Sequence, residues 1–275
     1  MRNRAKAAVV AASTVTVVAL AGASQAVVQE HSDRMVPVTD GAGTGSGPAA
    51  ERPLSNDCSG GHVTFTFDDG PGRNTPEVLD ALDGLGIDAV FFWNGRAVEG
   101  RESTVARAVA EGHVIGNHSY SHPDLTTGVL PDGSEETVTA AWLRGELQRT
   151  DDALVAAGAP DPALYRPPYG AVDTRVDEVA QELGLRLVMP WGLRAEDNIV
   201  DTRDTEGVTT QQIIDTTTPR LRDGTIITMH DGQGQATLNS IAALQAIVDT
   251  MNERELCATA DVRENATGRV LDTYG

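Results

Sequence analysis

Lysine is all but missing from this 275-residue chain. Lys6 is the only one, and 40 acids face 21 Lys plus Arg, for a formal net charge of −19. A surface so negative repels phosphate backbones and anionic lipid. That argues against nucleic acid and acidic membranes as partners and describes a soluble, self-repelling protein. The scarcity of lysine itself fits a GC-rich genome better than a function. Cysteine is nearly absent too, with Cys58 and Cys257 alone, and their spacing offers no cysteine-based zinc site. Also lacking is an apolar run of comfortable membrane-spanning length. Ala7–Ala23 has about 17 residues, at the short edge for a span, and is diluted by Ala and Thr.

That run follows Arg2, Arg4 and Lys6 and leads to Ser24-Gln25-Ala26, a small-x-small cleavage site. Residues 1–26 therefore read as a secretory signal, with an uncleaved anchor as the alternative. No cysteine adjoins the cleavage point, which argues against a lipid anchor. Removing three positive charges and no acid takes the net charge from −19 to −22. Residues 27–57, with Asp40-Gly41-Ala42-Gly43-Thr44-Gly45-Ser46-Gly47-Pro48, are too rich in Gly and small polar residues to bury a core and read as a flexible linker. Residues 58–275 then form one domain. The expectation is a secreted, extracellular monomer without stable membrane association once the signal is removed. In that compartment Cys58 and Cys257 are expected to form a disulfide, with two buried free thiols as the alternative. The bridge would close a loop of about 200 residues and contribute up to roughly 5 kcal/mol.

The domain alternates short apolar runs with helical patterns. Strands are expected at 63–67, 88–92, 113–117, 164–166, 186–189, 225–229 and 258–262. Helices are expected from Thr75 (as N-cap, before Pro76) to Gly86, from Ser103 to Ala110, and over 135–156, 172–183, 210–221 and 238–253. Seven strands alternating with helices imply a parallel α/β sheet. The polar residues of interest fall just after strands, which in α/β barrels is where active sites are built. No internal repeat and no appended carbohydrate-binding module is visible.

Three stretches carry chemistry. Thr66-Phe67-Asp68-Asp69-Gly70-Pro71 places a doubled acid at a strand end, although Asp-Gly-Pro is also a common turn. His118-Ser119-Tyr120-Ser121-His122 spaces two imidazoles four apart, which on a helical turn puts both on one side. Arg166-Pro167-Pro168-Tyr169-Gly170 fixes an arginine in extended backbone before a tight turn. An Asp with two His can hold a divalent metal and leave positions open for water and substrate, while the neighbouring carboxylate stays free as a base. His230 ends the sixth strand. His31 lies in the linker, His62 precedes the first strand, and His113 reads as a core or strand-edge histidine.

These motifs, in this order and spacing over residues 58–262, resemble the polysaccharide deacetylases, the metal-dependent group in family four of the carbohydrate esterases. The resemblance implies a distorted (β/α)7 barrel with parallel strands. It implies Asp69, His118 and His122 as ligands of a divalent metal, zinc by default or cobalt. It implies Asp68 as general base with Arg166 as its counter-ion, and the backbone N–H of Tyr169 as a donor to the tetrahedral oxyanion. His230 would be the general acid, with Asp197 behind it and Glu196 as a weaker candidate for that place.

The chain departs from the family in two places. The fourth motif, usually Asp-x-x-Asp-Trp, is read here at Arg194 to Asn198, with Arg194 for the first Asp and Asn198 for the Trp. Thr228 stands where the fifth motif has Leu. Both changes fall on the apolar wall for the acetyl methyl, for which Trp93 and Trp191 are candidate replacements, ordinary packing being the alternative. The expected partner is an acetylated polysaccharide: an N-acetylglucosamine polymer such as chitin or peptidoglycan, with acetylated xylan as the alternative. A carbohydrate-binding pseudoenzyme is the remote one.

Overall fold

The computed structural model describes residues 58–192 and 198–262. The signal at 1–26, the linker at 27–57, and Arg194, Glu196 and Asp197 lie outside these residues. Among the described residues eight strands form a parallel sheet: β1 (Gly61–Asp68), β2 (Val90–Trp93), β3 (Val114–Asn117), β4 (Leu164–Tyr165), β5 (Arg186–Leu187), β6 (Ile199–Asp201), β7 (Thr225–His230) and β8 (Leu256–Ala258). Seven run side by side in the order β5-β4-β3-β2-β1-β7-β6, and β8 pairs with the first residues of β1. The parallel path curls into a distorted (β/α)7 barrel.

Its membership differs from the expected seven. The strand expected at 258–262 is β8, shifted towards the N-terminus and off the main path. In its place the path includes β6, whose three residues are too few to show an alternating pattern.

Strand alternation sorts β1 into two faces. Val63, Phe65 and Phe67 join Phe91 and Trp93 in the core beneath the helices. Thr66 and Asp68 point the other way, where Arg166 bonds both. Inside the barrel Val90, Phe92, Leu164 and Val188 form a smaller cluster. Each buried Phe contributes about 1.5–3 kcal/mol. The hydrophobic floor thus fixes where the strand ends, and their polar residues, must sit.

The helices are α1 (Thr75–Leu85), α2 (Gly95–Val98), α3 (Glu102–Ala110), α4 (Ala140–Ala156), α5 (Thr174–Glu182), α6 (Thr210–Thr217) and α7 (Gln235–Glu253). Thr75 does not cap α1 as expected: its hydroxyl accepts from Gly72 N–H and donates to buried Asp231. The last helix of the alternation, α7, covers β7 and β8 on the outer face. Helix α4 starts at Ala140 rather than 135, capped by the Thr139 hydroxyl, because Glu135 bridges antiparallel to Val129. At the end of β1 opposite Asp68, Cys58 and Cys257 are disulfide-bonded, with Cα atoms 5.1 Å apart. No helix among the described residues is long and apolar enough to cross a membrane.

Candidate active site

Strands β1, β3, β4 and β7 deliver their last residues to one mouth. Asp68 ends β1 in register with His230, which ends β7. His118 follows β3 and Arg166 follows β4. Six non-glycine residues among those described have positive φ, and four of them are here: Asp69 (73°), Ser119 (61°), His122 (58°) and Tyr169 (56°). Such backbone costs of order 1–3 kcal/mol per residue and gathers at functional sites. The expected helical turn for the His pair is not formed. Left-handed backbone at Ser119 and His122 brings the two rings together on a loop.

Asp69, His118 and His122 converge, with their candidate ligand atoms within 4.8 Å of one another. His118 Nε2 lies 3.3 Å and His122 Nε2 2.9 Å from Asp69 Oδ1. His118 Nδ1 is 2.7 Å from the Arg166 carbonyl, which can only accept, so Nδ1 carries the proton. In the neutral ring Nε2 then turns a lone pair towards a carboxylate oxygen, an arrangement that needs a cation between them. Asp69 Oδ1 is buried and accepts no well-directed hydrogen bond. Its Oδ2 accepts from Gln233 Nε2 at 2.5 Å. Burial works against the Asp69 charge; only with both facing rings protonated would their bonds and charge outweigh it and hold the carboxyl well below the usual carboxylate range, and a cation in that place has the same effect on the carboxylate. This donor set fits a divalent cation. His122 Nδ1 lies 3.2 Å from Tyr169 Oη, and burial followed by the charge of Asp69 raises the Tyr169 pKa.

Asp68 pairs with Arg166 at 2.8 Å, their side chains 3% and 0% exposed. Arg166 also donates to Thr66 Oγ1 and to the Val188 carbonyl, and its guanidinium stacks 4.3 Å above Phe92. Burial lowers the Arg166 pKa, and Asp68 opposes that shift. Removing either partner leaves a buried unpaired charge, a loss of about 3–5 kcal/mol. The other oxygen of Asp68 remains available to the cavity it lines.

His230 bonds Asp204. Its Nδ1 is 2.6 Å from Asp204 Oδ1, which fills the place the sequence reading gave to Asp197. Asp197 itself lies outside the described residues. The pattern Asp-x-x-Asp stands at Asp201-Thr202-Arg203-Asp204, starting on the last residue of β6, with Thr205 following it where the family has Trp. This pattern is displaced by seven residues from the one expected at Arg194 to Asn198. Asn198 bonds the Asp223 carbonyl and does not line the cavity, so it is not the Trp counterpart.

A cavity of about 520 Å³ joins these groups, lined by Asp68, Asp69, His118, His122, His230 and Thr228 among others. Trp191 and Tyr169 stand at its exposed rim. Gly170 has φ 61°, and a Cβ there would lie 2.5 Å from the Trp191 ring, so this turn accepts only glycine. Trp93 is fully buried and donates to Asp231, and is therefore a packing residue. His113 is buried in the core, its Nδ1 accepting from Ala89 N–H.

Two supports escaped the sequence reading. Glu146 on α4 accepts from the N–H groups of Tyr120 and Ser121 and from the Ser121 hydroxyl at 3.1, 2.9 and 2.9 Å. Asn117 donates to Asp151 and to the Leu147 carbonyl and accepts from Ser119 N–H. Helix α4 thus clamps the loop that carries both histidines.

The polysaccharide deacetylase family model matches residues 55–188. A bifunctional xylanase/xylan deacetylase of Cellvibrio japonicus is 34% identical over 203 residues, 74% of this chain and 27% of that one. A peptidoglycan-N-acetylglucosamine deacetylase of Bacillus cereus is 32% identical over 193 residues, 70% of this chain and 64% of that one. The chain thus spans less than two thirds of these curated relatives. The solved family 4 carbohydrate esterase from Streptomyces lividans, in complex with acetate, superposes with a TM-score of 0.62 at 33% identity. It covers 73% of this chain and 92% of its own. With that sequence and fold the chain belongs to the polysaccharide deacetylase family.

Proposed function

We propose that this protein is a secreted, metal-dependent hydrolase that removes N-acetyl groups from an N-acetylglucosamine polymer, of the chitin type or peptidoglycan. The observation that carries this reading is the convergence of three units on one cavity: the Asp69–His118–His122 cluster, the Asp68–Arg166 pair and the His230–Asp204 pair. A zinc or other divalent ion held by the cluster would supply a low-pKa water and polarise the acetyl carbonyl. Asp68, held by Arg166, takes the proton of the attacking water. The Tyr169 turn offers its backbone N–H to the oxyanion. His230 returns a proton to the leaving nitrogen, and Asp204 keeps the ring oriented for it. No covalent intermediate is needed.

Export is supported by residues 1–26, and the Cys58–Cys257 bond suits an oxidising compartment. Residues 27–57 would serve as the linker and the mature enzyme as a monomer. N-terminal sequencing of the exported protein is expected to begin at Val27. The relation to a xylan deacetylase favours a second reading, O-deacetylation of xylan. Acetate release from chitooligosaccharide and from acetylated xylan, measured side by side, separates the two. Binding of either without acetate release would instead leave a carbohydrate-binding pseudoenzyme.

A further inference from the structure

A second cavity, of about 590 Å³, adjoins the first and shares Trp191, Asp201 and Arg203 with it. Beyond these it is lined by Arg220 and Arg222. Of the arginines that supply nearly all of the positive charge in this acidic chain, several already face acids. Arg107, Arg144, Arg166 and Arg175 each pair with a carboxylate, and Arg203 is held by Glu206 through two nitrogens. Arg220 and Arg222, like several other arginines, have no such partner among the described residues, and these two share one cavity. Arg220 donates one N–H to the Thr216 carbonyl, and Arg222 donates its Nε–H to Asn198 Oδ1 at 2.6 Å. Neither pairs with a carboxylate among the described residues. Asp201 is the acid lining this cavity, and its Oδ1 accepts from Arg203 N–H.

A guanidinium whose Nε is already oriented presents its terminal nitrogens as a fork that matches a carboxylate. The net charge of −19 repels an anionic polymer at a distance. An anionic substituent would therefore be tolerated at the mouth only where cations are gathered to meet it. We propose that the second cavity receives a carboxylate carried by the substrate polymer, on a sugar next to the one that loses its acetyl group. This rests on the deacetylase reading and narrows its substrate class to acidic glycans. Two polymers present that chemistry: peptidoglycan through the lactyl carboxylate of muramic acid where no peptide is attached to it, and xylan through glucuronyl branches.

The test compares matched acetylated oligomers: a neutral chitooligosaccharide, one alternating with N-acetylmuramic acid, a neutral acetylated xylooligosaccharide and one with a glucuronyl branch. In the wild type, KM for one charged oligomer is expected to be about fivefold below that of its neutral partner, the worth of an exposed ion pair. The double variant Arg220→Gln/Arg222→Gln is expected to abolish that difference, with kcat and turnover of neutral oligomers unchanged. Whichever charged oligomer shows the effect identifies the polymer. Equal KM for charged and neutral oligomers of both pairs, or a difference that survives in the double variant, would overturn the proposal. Tryptophan fluorescence, with Trp191 lining both cavities, reads affinity independently of turnover. If no oligomer yields acetate, the deacetylase reading fails; arginine-dependent affinity for the charged oligomers would still support the site, and its absence would remove it.

Discussion

Asp204 holds His230 at two points, its Oδ1 2.6 Å from the ring Nδ1 and its Oδ2 accepting the His230 main-chain N–H at 2.9 Å. Ser240 donates a third bond to that carboxylate at 2.5 Å. The ring cannot turn without breaking this anchor, so Nε2 is left beside the cavity. Burial would lower the His230 pKa, but the bond and charge of Asp204, with Asp68 and Asp69 adding, reverse the effect and push it up to about 9.

The sign of that shift sets a pH dependence. Below about 9 His230 keeps the proton that a general acid must give, and above it the proton is lost. Wild-type kcat/KM is expected to fall as pH rises through this value. In Asp204→Asn the fall should move to lower pH and kcat should drop by about 10²-fold or more, with KM little changed. An alkaline limb unmoved by the substitution would assign it to another group.

His118→Ala and His122→Ala are each expected to lower bound zinc, because each removes a nitrogen aimed at Asp69 Oδ1. Elemental analysis of purified protein reads this directly. Full zinc content in both variants would move the metal elsewhere.

Glu146 touches neither histidine ring, yet it ties the backbone between them. Glu146→Ala is expected to weaken zinc binding about 10–100-fold, as supports behind ligands commonly do. Glu146→Gln, which retains one acceptor oxygen, should recover part of that loss. Chelator competition measures both, and wild-type affinity in Glu146→Ala would reduce the residue to helix packing.

The Cys58–Cys257 bond spans 199 residues of sequence and sits at the end of β1 away from Asp68. A Cys58→Ser/Cys257→Ser variant is expected to lose up to about 5 kcal/mol of unfolding free energy. Its kcat at room temperature should stay near wild type while it remains folded. Urea unfolding and acetate assays on the same sample check the two halves of this statement.

What could be read from sequence followed from how local each signal is. Asp68, Asp69, His118 and Arg166 stand at or just after strand ends, with His122 in the turn that follows His118, and Gly, Pro or Ser lies within two residues of each, so strand and turn chemistry located them without tertiary information. The cysteine pairing was legible because two cysteines allow one intramolecular bond. Asp204 was missed because β6 has only three residues, and without a visible strand nothing marked the Asp-x-x-Asp at 201–204 as a strand end. Glu146 was invisible for a different reason. Its role depends on how α4 packs against a loop some 25 residues earlier, and an isolated acid in a helix reads as a solvated face.

The most direct measurement is acetate release from an N-acetylglucosamine oligomer by protein stripped with chelator and then titrated with zinc, with bound metal counted at each step. Release is expected to vanish on stripping and to return in proportion to metal held by Asp69, His118 and His122. Acetate released at the full rate by protein that holds no metal would contradict it.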